Sequence, residues 1–245
     1  MTLAQHLQPL VLLCFCHYHQ MHHHHHQYQL ATTAHGLFHE TFSFFGKSNQ
    51  NNNRYMVGLP DIMVKRCAMQ LAEALDFMHS KALVHRDVKL DNILLFDKDC
   101  HCIKLADFGL TRLEGFNISP LKGTVPYSSP ELCVLEENDT LELDSSLDVW
   151  AFGILLFCIS TGYFPWDTAS YKDSQYEQFA LWQTTGNYQK IPYQWKQFTW
   201  RALDMFQKLL ALNAVTRSPA IEVQKYLSDP WKINSLKDNC NLQDN

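Results

Sequence analysis

The chain has 245 residues, 46% of them apolar and 13% aromatic. That is enough for one large domain or two small ones around a substantial core, and it excludes a wholly disordered protein. Its 20 Lys and Arg against 25 Asp and Glu give a formal net charge of −5; without clustered cations to displace counterions, nucleic acid is excluded as a partner.

The charge is unevenly spread. Residues 1–53 hold one acid, Glu40, and one base, Lys47, and ten of the 13 histidines lie between His6 and His39. His22–His26 form an uninterrupted run, and residues 49–53 are an Asn/Gln tract. Such low-complexity sequence offers no apolar period from which to build a core, so residues 1–56 are expected to be disordered, with the His run a coding repeat rather than a metal site. The apolar stretch Pro9–Cys16 follows no basic residue and is too short to cross a bilayer, and the run from Val149 to Ser160 is only core-helix length, so no membrane partner is expected. Eight cysteines stand at 14, 16, 67, 100, 102, 133, 158 and 240, none in C-x-x-C spacing, which suits free thiols in a reducing, cytoplasmic setting. Cys100-His101-Cys102 reads as part of a turn after Asp97-Lys98-Asp99 rather than as a metal site.

From residue 54 the sequence becomes regularly punctuated. Pro60 and Asp61 open a helical pattern with Ile62, Val64, Met69, Ala72, Leu75 and Met78 as its apolar positions. Leu83-Val84 is a short extended piece, and Ile93–Leu95 and Ile103–Leu105 read as two strands about a polar turn. Helices are expected at Ser146–Ser160, Tyr176–Thr184 and Thr199–Leu212, with a last one near Pro219–Leu227. The plan is a mainly helical domain over residues 57–232 with a small hairpin near its start, followed by a tail, 233–245.

The chemistry gathers on loops around that hairpin. His85-Arg86-Asp87-Val88-Lys89-Leu90-Asp91-Asn92 precedes one strand, and Asp107-Phe108-Gly109 follows the other. An acid, a lysine two residues on and an asparagine five residues on can face one point from a single loop, and a second acid arrives from the neighbouring strand. Phosphoryl transfer from Mg·ATP needs a carboxylate to orient a hydroxyl, a cation near the γ-phosphate and hard oxygen ligands for Mg²⁺.

These two loops resemble the catalytic loop and the magnesium loop of the eukaryotic protein kinases. The resemblance continues through Gly123-Thr124-Val125-Pro126-Tyr127-Ser128-Ser129-Pro130-Glu131, similar to the end of an activation segment, and Asp148-Val149-Trp150-Ala151-Phe152-Gly153, similar to the central large-lobe helix. Within the superfamily the chain looks most like the SH3-binding-domain kinases, through Val57–Pro60, Lys104–Arg112, Thr161–Trp166 and Met205–Leu212. The implied fold is α+β and protein kinase-like, a mainly helical large lobe with its β-rich small lobe largely missing or replaced. The implied cofactors are ATP and Mg²⁺. Asp87 would accept the substrate hydroxyl proton and Lys89 steady the transferring phosphate. Asn92 and Asp107 would hold Mg²⁺, and Leu94 would floor the adenine site. Lys89 and Thr124 match the serine/threonine rather than the tyrosine kinases, so the implied partner is a protein substrate with a Ser or Thr acceptor. Arg86 often grips a phosphorylated activation-segment residue in this family; Thr111 and Ser119 are candidates, with Glu114 as a permanent mimic of that charge. Glu131 and Arg217 fall at positions that pair in the family, and Asp148 opens the central-helix motif.

The departures from the family pattern lie mostly upstream. Residues 1–56 contain only Gly36 and Gly46, so no G-x-G-x-x-G is possible, and Lys47 is the only lysine before Asp61. Gly46-Lys47-Ser48 is no P-loop, because Thr41 stands where its first glycine belongs. The roof over ATP is therefore absent or replaced, and weak or no ATP binding and a tendency to associate are expected. A scaffold that binds kinase partners or substrates without catalysis is the alternative. Leu90 and Ser129 replace the usual Pro and Ala, both mild changes. The nine prolines include no P-x-x-P, so SH3 binding is unsupported.

Overall fold

The computed structural model describes residues 58–119 and 125–233. Its first helix, α1 (Asp61–His79), starts where Pro60 cannot donate and Asp61 favours the N-terminal dipole. Met63, Val64, Cys67, Ala68, Leu71, Ala72, Leu75 and Met78 make its buried stripe. Ile62 and Met69, expected inside, are 57% and 42% exposed, because the buried face is centred on the 64–68–71–75 line and both lie off its edges.

Three two-stranded ribbons follow. Strand β1 (Leu83–Val84) pairs antiparallel with β4 (Arg112–Leu113), and β2 (Ile93–Leu95) with β3 (Ile103–Leu105) in the register Ile93↔Leu105. The third joins β5 (Asn117–Ile118) to β6 (Leu141–Glu142). The β2–β3 turn is the expected one. Both oxygens of Asp97 are occupied, by the amides of Asp99, His101 and Cys102 and by His101 Nδ1, so although Asp97, Asp99 and His101 bring ligand atoms within 4.8 Å, the carboxylate acts as a turn cap.

The short helix α2 (Pro130–Cys133) leads to α3 (Ser146–Thr161), whose 16 residues are all buried. An apolar helix without a polar face is a core helix, and the others wrap it. Gly162, at φ +87°, caps it in the left-handed region with its amide on Cys158 O. Gly153 permits close packing: a Cβ there would lie 2.7 Å from Leu210.

Helix α4 (Ser174–Thr185) begins two residues before the expected start, since Asp173 caps the amides of Gln175 and Tyr176. Helix α5 (Trp200–Leu209), capped by Thr199, stops three residues early where Leu210 turns in to pack on Gly153. The segment expected to be a last helix is a 3₁₀ run, Ala220–Tyr226, laid against α1 and α5; that packing overrides its helical period. Trp150, Trp166, Trp182, Trp195 and Trp231 are all fully buried, so aromatic rings fill the space between α3, α4 and α5. Among the described residues, no helix is long and apolar enough to cross a membrane.

Candidate active site

The loop between β1 and β2 is built around Asp148, the third residue of α3. Its Oδ2 accepts the His85 amide at 2.7 Å and His79 Nε2 at 2.9 Å, and its Oδ1 accepts the Arg86 amide at 2.8 Å. The carboxylate is 1% exposed. It thus holds Arg86 at φ +70°, a left-handed conformation that a non-glycine residue keeps only under such constraint.

His85 forms the next link. Its Nδ1 accepts the Asp87 amide at 3.2 Å, so the ring is neutral and its proton sits on Nε2, which donates to Ala106 O at 3.1 Å. Burial pushes its pKa below the usual imidazole value, against the pull of Asp148, Asp87 and Asp107. The ring also meets Phe108 edge-on at 5.2 Å. A single imidazole therefore ties the Asp87 loop to the Asp107 loop.

Asp87 is 8% exposed and its carboxylate is positioned from two sides. Lys89 Nζ lies 2.9 Å from Oδ1 and 2.7 Å from Oδ2, and Asn92 Nδ2 donates to Oδ2 and to the Asp87 carbonyl, both at 2.8 Å. With its amide nitrogen committed to Asp87, Asn92 is left with a hard carbonyl oxygen for a cation. Asn92 O accepts the Ala106 amide at 2.8 Å, so Asp107 emerges beside Asn92. Asp107 stands at φ +61°, exposed, with Oδ1 accepting the Gly109 amide at 3.1 Å. Asn92 and Asp107 thus offer oxygen donors of the kind Mg²⁺ takes. Leu94 is half-buried on β2, paired with Lys104.

Leu90 keeps a backbone amide that a proline would lack, and Tyr127 Oη accepts it at 3.3 Å; burial raises the phenol pKa. The loop is thereby anchored to the 125–127 turn that precedes α2. Glu131 meets Arg217 as a fork, Nη1 to Oε1 at 2.8 Å and Nη2 to Oε2 at 3.2 Å. Arg217 also donates to Ser146 O and Ala211 O and stacks 5.0 Å over Trp150.

The activation-segment candidates separate. Thr111 is fully buried with no partner for its hydroxyl, whereas Ser119 is exposed. Glu114 accepts the Ser145 amide at 3.1 Å. Arg86 donates to Leu110 O and pairs with no acid among the described residues; burial and then Arg112 lower its pKa. Thr124, Lys47 and the His run lie outside the described residues.

The sequence pointed to every one of these groups except His79, His85 and Tyr127. His85 was legible only as the first letter of its motif, and the contacts of His79 and Tyr127 span 69 and 37 residues.

A family-wide sequence profile described as the protein kinase domain matches residues 21–231. The chain belongs to the protein kinase family. Among curated relatives it is 52% identical over 171 residues to the serine/threonine-protein kinase SBK1 of Mus musculus, covering 70% of this chain and 41% of that protein. SBK1 of Danio rerio is 48% identical over 185 residues (75% and 47%), and SBK2 of Rattus norvegicus is 42% identical over 180 (72% and 49%). The chain thus groups with the SBK branch, as its resemblance to the SH3-binding-domain kinases implied, and spans about half the length of the curated relatives it matches. The profile takes in residues 21–56, which carry none of the motifs quoted above.

Proposed function

We propose that this kinase transfers the ATP γ-phosphate to a Ser or Thr hydroxyl of a protein substrate. The observation that carries the reading is the buried cluster in which Lys89 and Asn92 both fix the Asp87 carboxylate. Asp87 orients the acceptor hydroxyl and takes its proton, and Lys89, held against that carboxylate, would balance charge on the phosphate being transferred. Asn92 and Asp107 would hold Mg²⁺, which when bound offsets the phosphate charge. Leu94, on the same hairpin, would lie against the adenine. His85 and Asp148 act as positioning residues. Regulation would run through Ser119, which is exposed, with the Arg86 guanidinium, which pairs with no acidic side chain among the described residues, as the group that would receive its phosphate.

A non-catalytic scaffold is the second reading, favoured by the lack of a G-x-G-x-x-G in residues 1–56. Incubation with Mg²⁺, millimolar γ-labelled ATP and a Ser/Thr-rich protein, followed by phosphoamino-acid analysis, separates the two. Labelled Ser or Thr that disappears in Asp87→Asn is expected. No label, or label unchanged in that variant, supports the scaffold.

A further inference from the structure

The hairpin that carries the proposed metal ligands has only three residues in each strand. A two-stranded ribbon of that length does not hold its shape in water without support. Part of the support is apolar: Ile93, Leu95, Ile103 and Leu105 share one core cluster with the buried stripe of α1. The rest is at the edge. The Phe96 amide donates to Cys102 O at 3.0 Å and the Ala106 amide to Asn92 O at 2.8 Å, so alternate residues of β3, Cys102, Lys104 and Ala106, bond across to β2. The Ile103 amide then points away from β2, on the open edge of a buried residue, and needs an acceptor. Gln70, in the middle of α1, meets it. Its Oε1 accepts the Ile103 amide at 3.0 Å, while Nε2 donates to Cys100 O at 3.0 Å and to Arg66 O, one turn back, at 2.9 Å. One carboxamide thus offers the edge an acceptor and a donor, as a neighbouring strand would. Arg66 Nη1 adds a bond to Asp99 O at 2.8 Å.

We propose that Gln70 is a positioning residue for the Asn92–Asp107 pair: by clamping the turn end of β3 to α1, it fixes where the two oxygen donors stand at the other end of the hairpin. The inference rests on the reading of Asn92 and Asp107 as the metal ligands. The route between the two ends is short and continuous. From Ile103, β3 runs to Leu105, which stands opposite Ile93, and the next residue, Ala106, donates to Asn92 O. Asn92 immediately precedes β2 and Asp107 immediately follows Ala106, so both donors hang from the end opposite the clamp. Neither can absorb a shift of the hairpin locally. The Asn92 side-chain amide is committed to Asp87, and Asp107 is held at φ +61°. A slip of β3 along β2 would carry Asp107 away from Asn92, and a slip of one residue would also turn Ile103 and Leu105 out of the core. Gln70 opposes that slip at the end of the ribbon where the strands are joined only by their turn.

The test compares the full chain with three variants. Gln70→Leu keeps the volume and removes both hydrogen-bonding ends, and Gln70→Glu keeps an acceptor for Ile103 without the donor. Asp173→Ala removes the cap of α4 and leaves the hairpin untouched. Amide exchange read by NMR should be about tenfold faster in Gln70→Leu at Ile103 and, at the far end, at Ala106. Gln70→Glu should fall between parent and Leu, and Asp173→Ala should match the parent at both amides. Calorimetric titration of Mg²⁺ at fixed ATP should need about tenfold more metal in Gln70→Leu, the lower end of what losing an outer-shell partner does to metal affinity. ATP affinity without Mg²⁺ should not change, a split that a residue stabilising the fold alone would not produce. Faster exchange confined to Ile103, the same acceleration in Asp173→Ala, or an unchanged Mg²⁺ requirement in Gln70→Leu would overturn the proposal. A parent that binds no Mg·ATP fails before Gln70 is in question, and the proposal then falls with the reading it rests on.

Discussion

Replacing Arg217 by Ala tests how the short helix α2, which carries Glu131, is tied to the helical core. The guanidinium is fully buried, makes four hydrogen bonds and stacks on Trp150, while the Glu131 carboxylate keeps 21% of its side-chain exposure. Removing one partner of a buried pair costs about 3–5 kcal/mol. Water can reach Glu131, which pulls the cost toward the lower figure. The stranded carbonyls of Ser146 and Ala211, and the space left beside Trp150, pull it upward. Against a total stability of about 5–15 kcal/mol this is a large fraction. In a domain of this size it corresponds to a fall in Tm of about 6–20 °C. Denaturant unfolding followed by tryptophan fluorescence measures it, since Trp150 lies against the substituted group. Arg217→Lys should fall between parent and Ala, because an ammonium carries the charge without the fork. The cycle with Glu131→Ala should show a coupling above about 1 kcal/mol. An Arg217→Ala protein within about 1 kcal/mol of the parent, or strictly additive substitutions, would refute the reasoning.

Three further expectations follow from buried polar groups. Tyr127→Phe leaves the Leu90 amide without an acceptor and should cost about 1 kcal/mol in the same denaturant assay; no loss would remove Tyr127 as an anchor of the β1–β2 loop. Ser129 is 1% exposed and its hydroxyl has no partner, so Ser129→Ala should stabilise by about 1 kcal/mol, seen as a higher midpoint at unchanged slope. For His85, burial lowers the folded pKa below 6.5, so below that pH the unfolded chain binds the proton more readily. Its contribution is intact above pH 6.5 and is lost as pH falls toward the lowered value, with a slope of at most about 1.4 kcal/mol per pH unit. His85→Gln should reduce that acid-side slope, and an unchanged slope between pH 7 and 5 would contradict it.

What could be read in the sequence was local chemistry and strong period. The motif spacing from His85 to Asn92 and from Asp107 to Gly109 placed the loops, and the unbroken apolar run of α3 marked the central helix. Where a boundary was set by a cap or a distant contact, the pattern misled. Asp173 began α4 early through its side chain, and Leu210 ended α5 by turning toward Gly153. The exposure of Ile62 and Met69 shows that a helical period fixes the existence of an apolar face more reliably than its centre. Among the candidate residues, the sequence could offer Thr111 and Ser119 equally as acceptors. Only packing separates them, because the Thr111 hydroxyl is sealed in and Ser119 is not. The role of Tyr127 was invisible for the same reason: the consequence of having leucine at 90 is an extra amide, and its acceptor lies 37 residues away.

The most direct measurement is ATP binding to the purified chain by calorimetry, with and without Mg²⁺, beside Asp107→Asn. The account predicts binding that is weak for want of a Gly-rich loop, depends on Mg²⁺, and vanishes in the variant. Equal, Mg²⁺-dependent binding by parent and variant would contradict the claim that Asn92 and Asp107 form the metal site of a kinase.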